Sequence, residues 1–174
     1  MDRLVRKAQS GDKAAFVRLI EDNQLSMYRA AKAILHQEAD VEDAVQEAIC
    51  RTFDKLYTLR QPKFFKTWLT RIVINCCYDI LRQQKGLYPL DVLPEEPREE
   101  DMDTPLDIQA ALKSLSENDR LILTLYYLND LPVKEIAKLL SISEGAAKMR
   151  LSTGRKHFRE KLELREEAGS QWQR

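Results

Sequence analysis

The clearest periodicity in the chain lies between Leu131 and Leu162, LPVKEIAKLLSISEGAAKMRLSTGRKHFREKL. Val133, Ile136, Ala137 and Leu140 recur at helical spacing. Pro132 suits the first turn of that helix, where its fixed φ is favourable and its missing N–H is not needed. Ser141-Ile142-Ser143 interrupts the run, and Ser143 is placed to cap a second helix. At about 100° per residue, Ala147, Leu151, Gly154, Phe158 and Leu162 fall on one narrow apolar stripe. Lys148, Met149, Ser152, Thr153 and Lys156 fall away from it. The pattern predicts two helices joined by a tight turn, brought close at the small Ala137.

Upstream, residues 1–85 predict a helical bundle. Asp12 follows Ser10-Gly11 as a cap, and Ala15, Phe16, Leu19 and Ile20 form the apolar side of the helix it opens. A second helical run covers Leu25 to Leu35. Asp40 is placed to cap a third, with Val41, Ala44, Val45, Ala48, Phe53 and Leu56 inward. LRQPKF, Leu59 to Phe64, contains Pro62 and reads as a loop. A fourth helix, Phe65 to Gln84, carries Trp68, Leu69, Ile72, Val73, Tyr78, Ile80 and Leu81. Residues 86–105 hold four prolines and seven acids and read as a flexible linker. In residues 106–174 a short helix, Leu106 to Leu115, is followed by Ser116 and Asp119, which resemble a capping box opening Glu117 to Tyr127. The tail after Leu164 is expected to fray. No segment shows the two-residue alternation of a strand. The predicted fold is all-α: two small helical bundles joined by an acidic flexible linker, the second containing a helix-turn-helix.

Charge sharpens this picture. The whole chain has 28 basic and 28 acidic residues, so net charge alone predicts no polyanionic partner. Its distribution does: residues 131–161 hold eight Lys or Arg against three Glu. That excess suits a phosphate backbone, and the layout lets the second helix enter a DNA major groove. An αα-hairpin with a solvated basic face is the plain alternative. In the first bundle, Asp40, Asp43, Gln46, Glu47 and Asp54 fall on one side of the third helix. They have no His at ExxH spacing and no facing acidic cluster, which argues against a metal-dependent helical enzyme. Lys63, Lys66, Arg71 and Arg82 can meet phosphates, and Asn75 can donate to and accept from a base edge. Phe64, Phe65 and Trp68 either stack on extruded bases or belong to the core.

Cys50, Cys76 and Cys77 are odd in number and include an adjacent pair, so reduced thiols, buried or half-buried, in a cytosolic protein are expected. No apolar run reaches the length of a membrane span, and MDRLVRKAQSGD is not a signal peptide. No P-loop, metal-ligand set or nucleophile–base arrangement is visible, so neither a cofactor nor a metal is expected.

The segment EIAKLLSISEGAAKMRL resembles the helix-turn-helix with which bacterial sigma factors read the −35 promoter element. The resemblance is strongest to the two-domain extracytoplasmic-function (ECF) class. DVEDAVQEAICRTFDKL, from Asp40, resembles the segment that grips RNA polymerase core, and FFKTWLTRIVINCCYDILRQQK, from Phe64, the helix that melts and reads the −10 element. The three segments occur in family order across residues 8–164. The resemblance implies domain 2-like residues 1–85, a linker at 86–105 and domain 4-like residues 106–174. It implies docking on the β′ clamp by Asp40, Asp43, Gln46 and Glu47, with the β subunit also in the assembly. It assigns −10 contacts to Lys63, Phe64, Lys66, Arg71, Asn75 and Arg82. Contacts to −35 fall to Lys148, Met149, Arg150, Ser152, Thr153, Arg155 and Lys156. Promoter DNA and an anti-sigma factor are the implied further partners, in a stress response, with no stable homo-oligomer and no enzymatic activity. A free-standing helix-turn-helix regulator is the alternative; it would need a dimer interface and a palindromic site. The chain departs from the family in having Ser141 where relatives often carry Gly, small Ser152 and Thr153 where they carry Arg or a bulky polar residue, and Ile74 where many carry Arg. The 59–64 loop also lacks the usual glycine- or serine-rich composition.

Overall fold

Asp12 does open a helix: its carboxylate accepts from Ala15 N at 3.0 Å, and Gly11 before it turns the chain at φ +94°. In the computed structural model, which describes residues 1–87 and 106–171, every regular element is helical. The chain divides into two compact units, Met1–Pro97 and Arg98–Arg174. The expected linker at 86–105 lies outside the described residues, apart from Gly86 and Leu87, which prolong a helix.

The first unit holds α1 (Asp2–Gln9), α2 (Lys13–Glu21), α3 (Gln24–Lys32), α4 (Glu38–Lys55) and α5 (Phe65–Leu87). Short 3₁₀ turns at Leu56–Thr58 and Pro62–Phe64 join the last two. Helices α3, α4 and α5 pack on one another, and α1 packs on α2. Ala30, Ala31, Ala44 and Ala48 are fully buried, and their small side chains permit this close approach. Phe65, Leu19, Met27, Val41 and Val73 fill the core between them.

Two expectations for this unit are corrected, and one open alternative is settled. Helix α4 starts at Glu38 behind Gln37, so Asp40 sits in its first turn rather than capping it. Carboxylates there are favoured by the helix dipole in either position. Phe53 is 58% exposed. The buried stripe of α4 passes through Thr52, which turns Phe53 about 100° away; its ring meets Phe16 edge-on at 5.1 Å. Phe65 is fully buried and belongs to the core, not to a base-stacking surface.

Helix α1, which the periodicity does not single out, has a consequence for the loop before α5. Gln9 Nε2 donates to Leu56 O at 2.9 Å and to Leu59 O at 2.8 Å, across nearly fifty residues. Gln9→Ala leaves two carbonyls without that donor and is expected to lower stability by about 1–2 kcal/mol. Urea denaturation checks the loss, and faster amide exchange at 56–61 checks its location. An unchanged midpoint with unchanged exchange would count against the pin.

The second unit holds α6 (Leu106–Lys113), α7 (Glu117–Leu123), a single π-helical turn (Thr124–Leu128), α8 (Val133–Leu139) and α9 (Glu144–Gln171). Helix α9 packs on α6, α7 and α8. Ala147 and Leu151 are buried against these helices, and Gly154 lies where an added Cβ would meet Leu123 Cγ at 3.4 Å and Asp119 at 3.6 Å. Pro132 is the residue before α8, not in its first turn, and its carbonyl accepts from Ile136 N at 3.0 Å. The tail expected to fray continues α9 to Gln171; Arg165 to Ala168 are strong helix formers with no proline to stop them.

Candidate nucleic-acid interface and docking face

The turn of the helix-turn-helix carries a backbone signature. Ser141 has φ +54°, a left-handed conformation that disfavours side chains bearing a Cβ. The expected Gly is therefore replaced by a serine that tolerates the same geometry. Ser141→Gly removes the penalty and is expected to raise stability by about 0.5–1 kcal/mol, net of added unfolded-chain entropy. A thermal midpoint that falls would contradict this. Ser143 then caps α9, its Oγ accepting from Ala146 N at 3.0 Å.

From that cap, α9 presents its outer face. Lys148, Met149, Arg150, Ser152, Thr153, Arg155 and Lys156 are all exposed, with Met149 at 72%. Lys148 Nζ pairs with Glu144 at 3.0 Å, and Lys156 Nζ lies 3.8 Å from Glu160. The hydrogen bond from Lys148 holds the Glu144 carboxyl below the usual carboxylate range. Such exposed i,i+4 pairs are weak and exchange readily for phosphate. Arg155 sits on the shoulder of the helix. Its guanidinium carbon lies 5.6 Å and 5.7 Å from the ring centroids of Tyr126 and Tyr127, so it braces α9 on the π-helical turn as well as offering charge.

Two further anchors were not visible in the sequence pattern. Ser116 caps α7 through Asp119 N at 3.2 Å, but the capping box stays half-formed. The Asp119 carboxylate instead meets His157 Nδ1 on α9 at 2.7 Å. Arg120 is 7% exposed, and its Nη1 donates to Lys113 O at 3.4 Å. Burial pushes its basicity down.

On α5, Arg71, Asn75 and Arg82 are exposed and share one face, since they stand four and eleven residues apart from Arg71. Tyr78, 37% exposed, falls on the same face, and Tyr78 O accepts from Arg82 Nε at 3.2 Å. Lys66 is exposed about 140° around the helix from Arg71. Lys63 stands outside α5 in the preceding turn, its Nζ 4.9 Å from the Phe64 ring centroid. Ile74 is buried, so the place of the family's Arg is taken by a core side chain. Cys50 is exposed, against the expectation of buried or half-buried thiols, while burial raises the Cys76 thiol and pushes Cys77 up to about 12, which keeps both protonated.

On α4, Asp43, Gln46 and Glu47 are exposed and Asp40 is half-buried. Two of these four are already engaged by side chains. Gln84 Nε2 on α5 donates to Asp40 Oδ2 at 2.9 Å. Arg51 Nε donates to Glu47 Oε1 at 2.6 Å, while Arg51 Nη1 reaches Asp79 Oδ2 on α5 at 2.7 Å.

These faces lie within matched family regions. Residues 19–86 match the family described as Sigma-70 region 2, and residues 106–158 match Sigma-70, region 4. The RNA polymerase sigma factor SigV of Bacillus subtilis is 30% identical over 159 residues, covering 90% of this chain and 96% of that protein. The chain belongs to the ECF sigma factors of the sigma-70 family. It is a transcription initiation factor for RNA polymerase and not an enzyme. ECF sigma factor SigW of the same bacterium is 27% identical over 91% of this chain and 94% of that one. CnrH, solved in complex with the cytosolic domain of CnrY, shares the fold at TM-score 0.68 and 22% identity, covering 94% and 97% of the two chains. RpoE of Bartonella quintana, solved with the anti-sigma factor NepR, matches at TM-score 0.68 and 20% identity, covering 86% and 97%. No helix among the described residues is long and apolar enough to cross a membrane.

Proposed function

We propose that this sigma factor docks on RNA polymerase core through Asp40, Asp43, Gln46 and Glu47 of α4, whose partner is the β′ clamp. The β subunit completes the contact in the assembled enzyme. The α5 face and the turn before it, with Lys63, Phe64, Lys66, Arg71, Asn75 and Arg82, read and hold the melted −10 strand. Lys148, Met149, Arg150, Ser152, Thr153, Arg155 and Lys156 of α9 read the −35 element. In this reading residues 1–85 and 106–174 are the two working domains and 86–105 the linker between them. The observation that carries it is the ordered match of both sigma regions in one chain, with every assigned side chain exposed except the half-buried Asp40 and Phe64. A free-standing regulator has no use for the first region.

The protein acts in the cytoplasm under an anti-sigma factor, in a stress response. RpoE of Bartonella quintana, which shares its fold, was captured with the anti-sigma factor NepR, and this supports the reading. The decisive experiment combines the purified protein with core polymerase on genomic DNA fragments and maps transcript starts. Defined starts with shared upstream −35 and −10 elements are expected. Absence of core-dependent transcripts would overturn the reading.

A further inference from the structure

The docking face and the −10 face are joined by a chain of four charges. Glu47 on α4 accepts from Arg51 Nε at 2.6 Å. Arg51 Nη1 crosses to Asp79 Oδ2 on α5 at 2.7 Å. The other Asp79 oxygen, Oδ1, accepts from Arg82 Nη2. The two inner members are the sheltered ones: the side chains of Arg51 and Asp79 are 33% and 32% exposed, against 51% for Glu47 and 74% for Arg82. Arg51 holds the Asp79 carboxyl below the usual carboxylate range, so the carboxylate stays charged and always needs a cation.

Asp79 therefore divides its two oxygens between two arginines, and Arg51 divides its guanidinium between two carboxylates. A planar guanidinium facing one carboxylate prefers the side-on arrangement with two parallel N–H···O bonds. Arg51 is kept from that arrangement with Asp79 because its Nε is turned to Glu47. Arg82 is correspondingly held by Asp79, although it lies on the face that meets DNA.

We propose that Arg51 is a positioning residue that takes over both oxygens of Asp79 when a basic side chain of the polymerase captures Glu47, so that docking releases Arg82 to a DNA phosphate. This rests on the docking and −10 assignments above. It gives a physical reason for promoter contact to follow polymerase binding: one cation of the −10 face is internally neutralised until the docking face is occupied.

Glu47→Gln imitates capture in the isolated full-length chain, because it removes the charge that holds Arg51 Nε and leaves only the weaker acceptor of a neutral amide oxygen. Binding is measured to a short single-stranded oligonucleotide from the −10 region of a mapped promoter, at several salt concentrations. One added phosphate contact steepens the salt slope by about 0.7, so the ratio of affinities at 50 and 200 mM salt grows about 2.6-fold. Asp54→Asn, an equal loss of charge on the exposed side of α4, controls for long-range electrostatics and leaves the slope unchanged. The gain disappears in Glu47→Gln/Arg82→Ala. It also disappears in Glu47→Gln/Arg51→Lys, which keeps the charge but cannot bind both oxygens side-on.

A slope for Glu47→Gln equal to that of Asp54→Asn overturns the hand-over. In parallel, Arg82→Ala is tested in the holoenzyme. If it weakens −10 binding while Glu47→Gln shows no gain, the hand-over alone fails. If Arg82→Ala leaves holoenzyme binding unchanged, the −10 assignment of Arg82 fails and the hand-over with it. Should the Arg51→Lys double variant not fold by circular dichroism, the Glu47→Gln and Glu47→Gln/Arg82→Ala pair still decides the matter.

Discussion

Replacing Asp43 and Gln46 together with lysine is expected to lower affinity for core RNA polymerase by about thirtyfold or more, with the helical fold intact. Both side chains are exposed on α4. Asp40 and Glu47 make poorer test positions for docking alone, since Gln84 ties Asp40 to α5 and Glu47 holds Arg51, so their loss acts on groups beyond the docking face as well. Disrupting a desolvated charge pair at an interface costs roughly 2–5 kcal/mol, and about 1.4 kcal/mol corresponds to tenfold in affinity. Surface substitutions distant from caps and buried pairs usually change stability by about 0.5 kcal/mol or less. Titration of labelled protein into core polymerase reads the first effect, and thermal denaturation the second. Unchanged core affinity with normal stability would remove α4 from the docking interface.

The features legible in the sequence are those set by neighbours a few residues away. Asp12, Ser116 and Ser143 cap as their spacing predicts, because a cap needs only a side-chain oxygen and an N–H three residues on. The stripe Ala147, Leu151 and Gly154 is buried because helical periodicity fixes it once α9 has something to pack on. What the sequence hides is set by distant partners. Asp119 looks like half of a capping box, yet its carboxylate goes to His157, 38 residues away. Gln9 gives no sign that it pins carbonyls of the loop before α5. Phe53 follows the hydrophobic rule in composition and breaks it in place, because burial of Thr52 fixes the rotation of α4. Among the site residues, exposure was readable except at the half-buried Asp40 and Phe64. Engagement was not: Lys148, Arg155, Lys156, Glu47 and Arg82 all have internal partners that only the folded chain supplies.

Those internal partners shape the second large effect. Alanine at Lys148, Arg150 and Lys156 together is expected to cut the salt dependence of holoenzyme binding to a −35-containing promoter by about 2.7 units of slope, at about 0.9 per phosphate contact on duplex DNA. The affinity ratio between 50 and 200 mM salt then shrinks roughly fortyfold. The fold is retained, since all three side chains are exposed and the pairs with Glu144 and Glu160 lie on the surface. Arg155 is left intact because Tyr126 and Tyr127 use its guanidinium to brace α9, so its removal mixes charge loss with helix displacement. The loss is expected to fall evenly on all promoters, since phosphates carry no sequence. Base preference is expected to reside in Met149, Ser152 and Thr153: small polar groups and one exposed thioether favour hydrogen bonds to several bases and apolar contact with a thymine methyl over a fixed guanine pair. Thr153→Ala is therefore expected to shift preference at a single −35 position by about 1–3 kcal/mol with the slope unchanged. A triple variant that keeps its slope, or a Thr153→Ala that weakens all promoters alike, would mean that another face of the second unit meets the DNA.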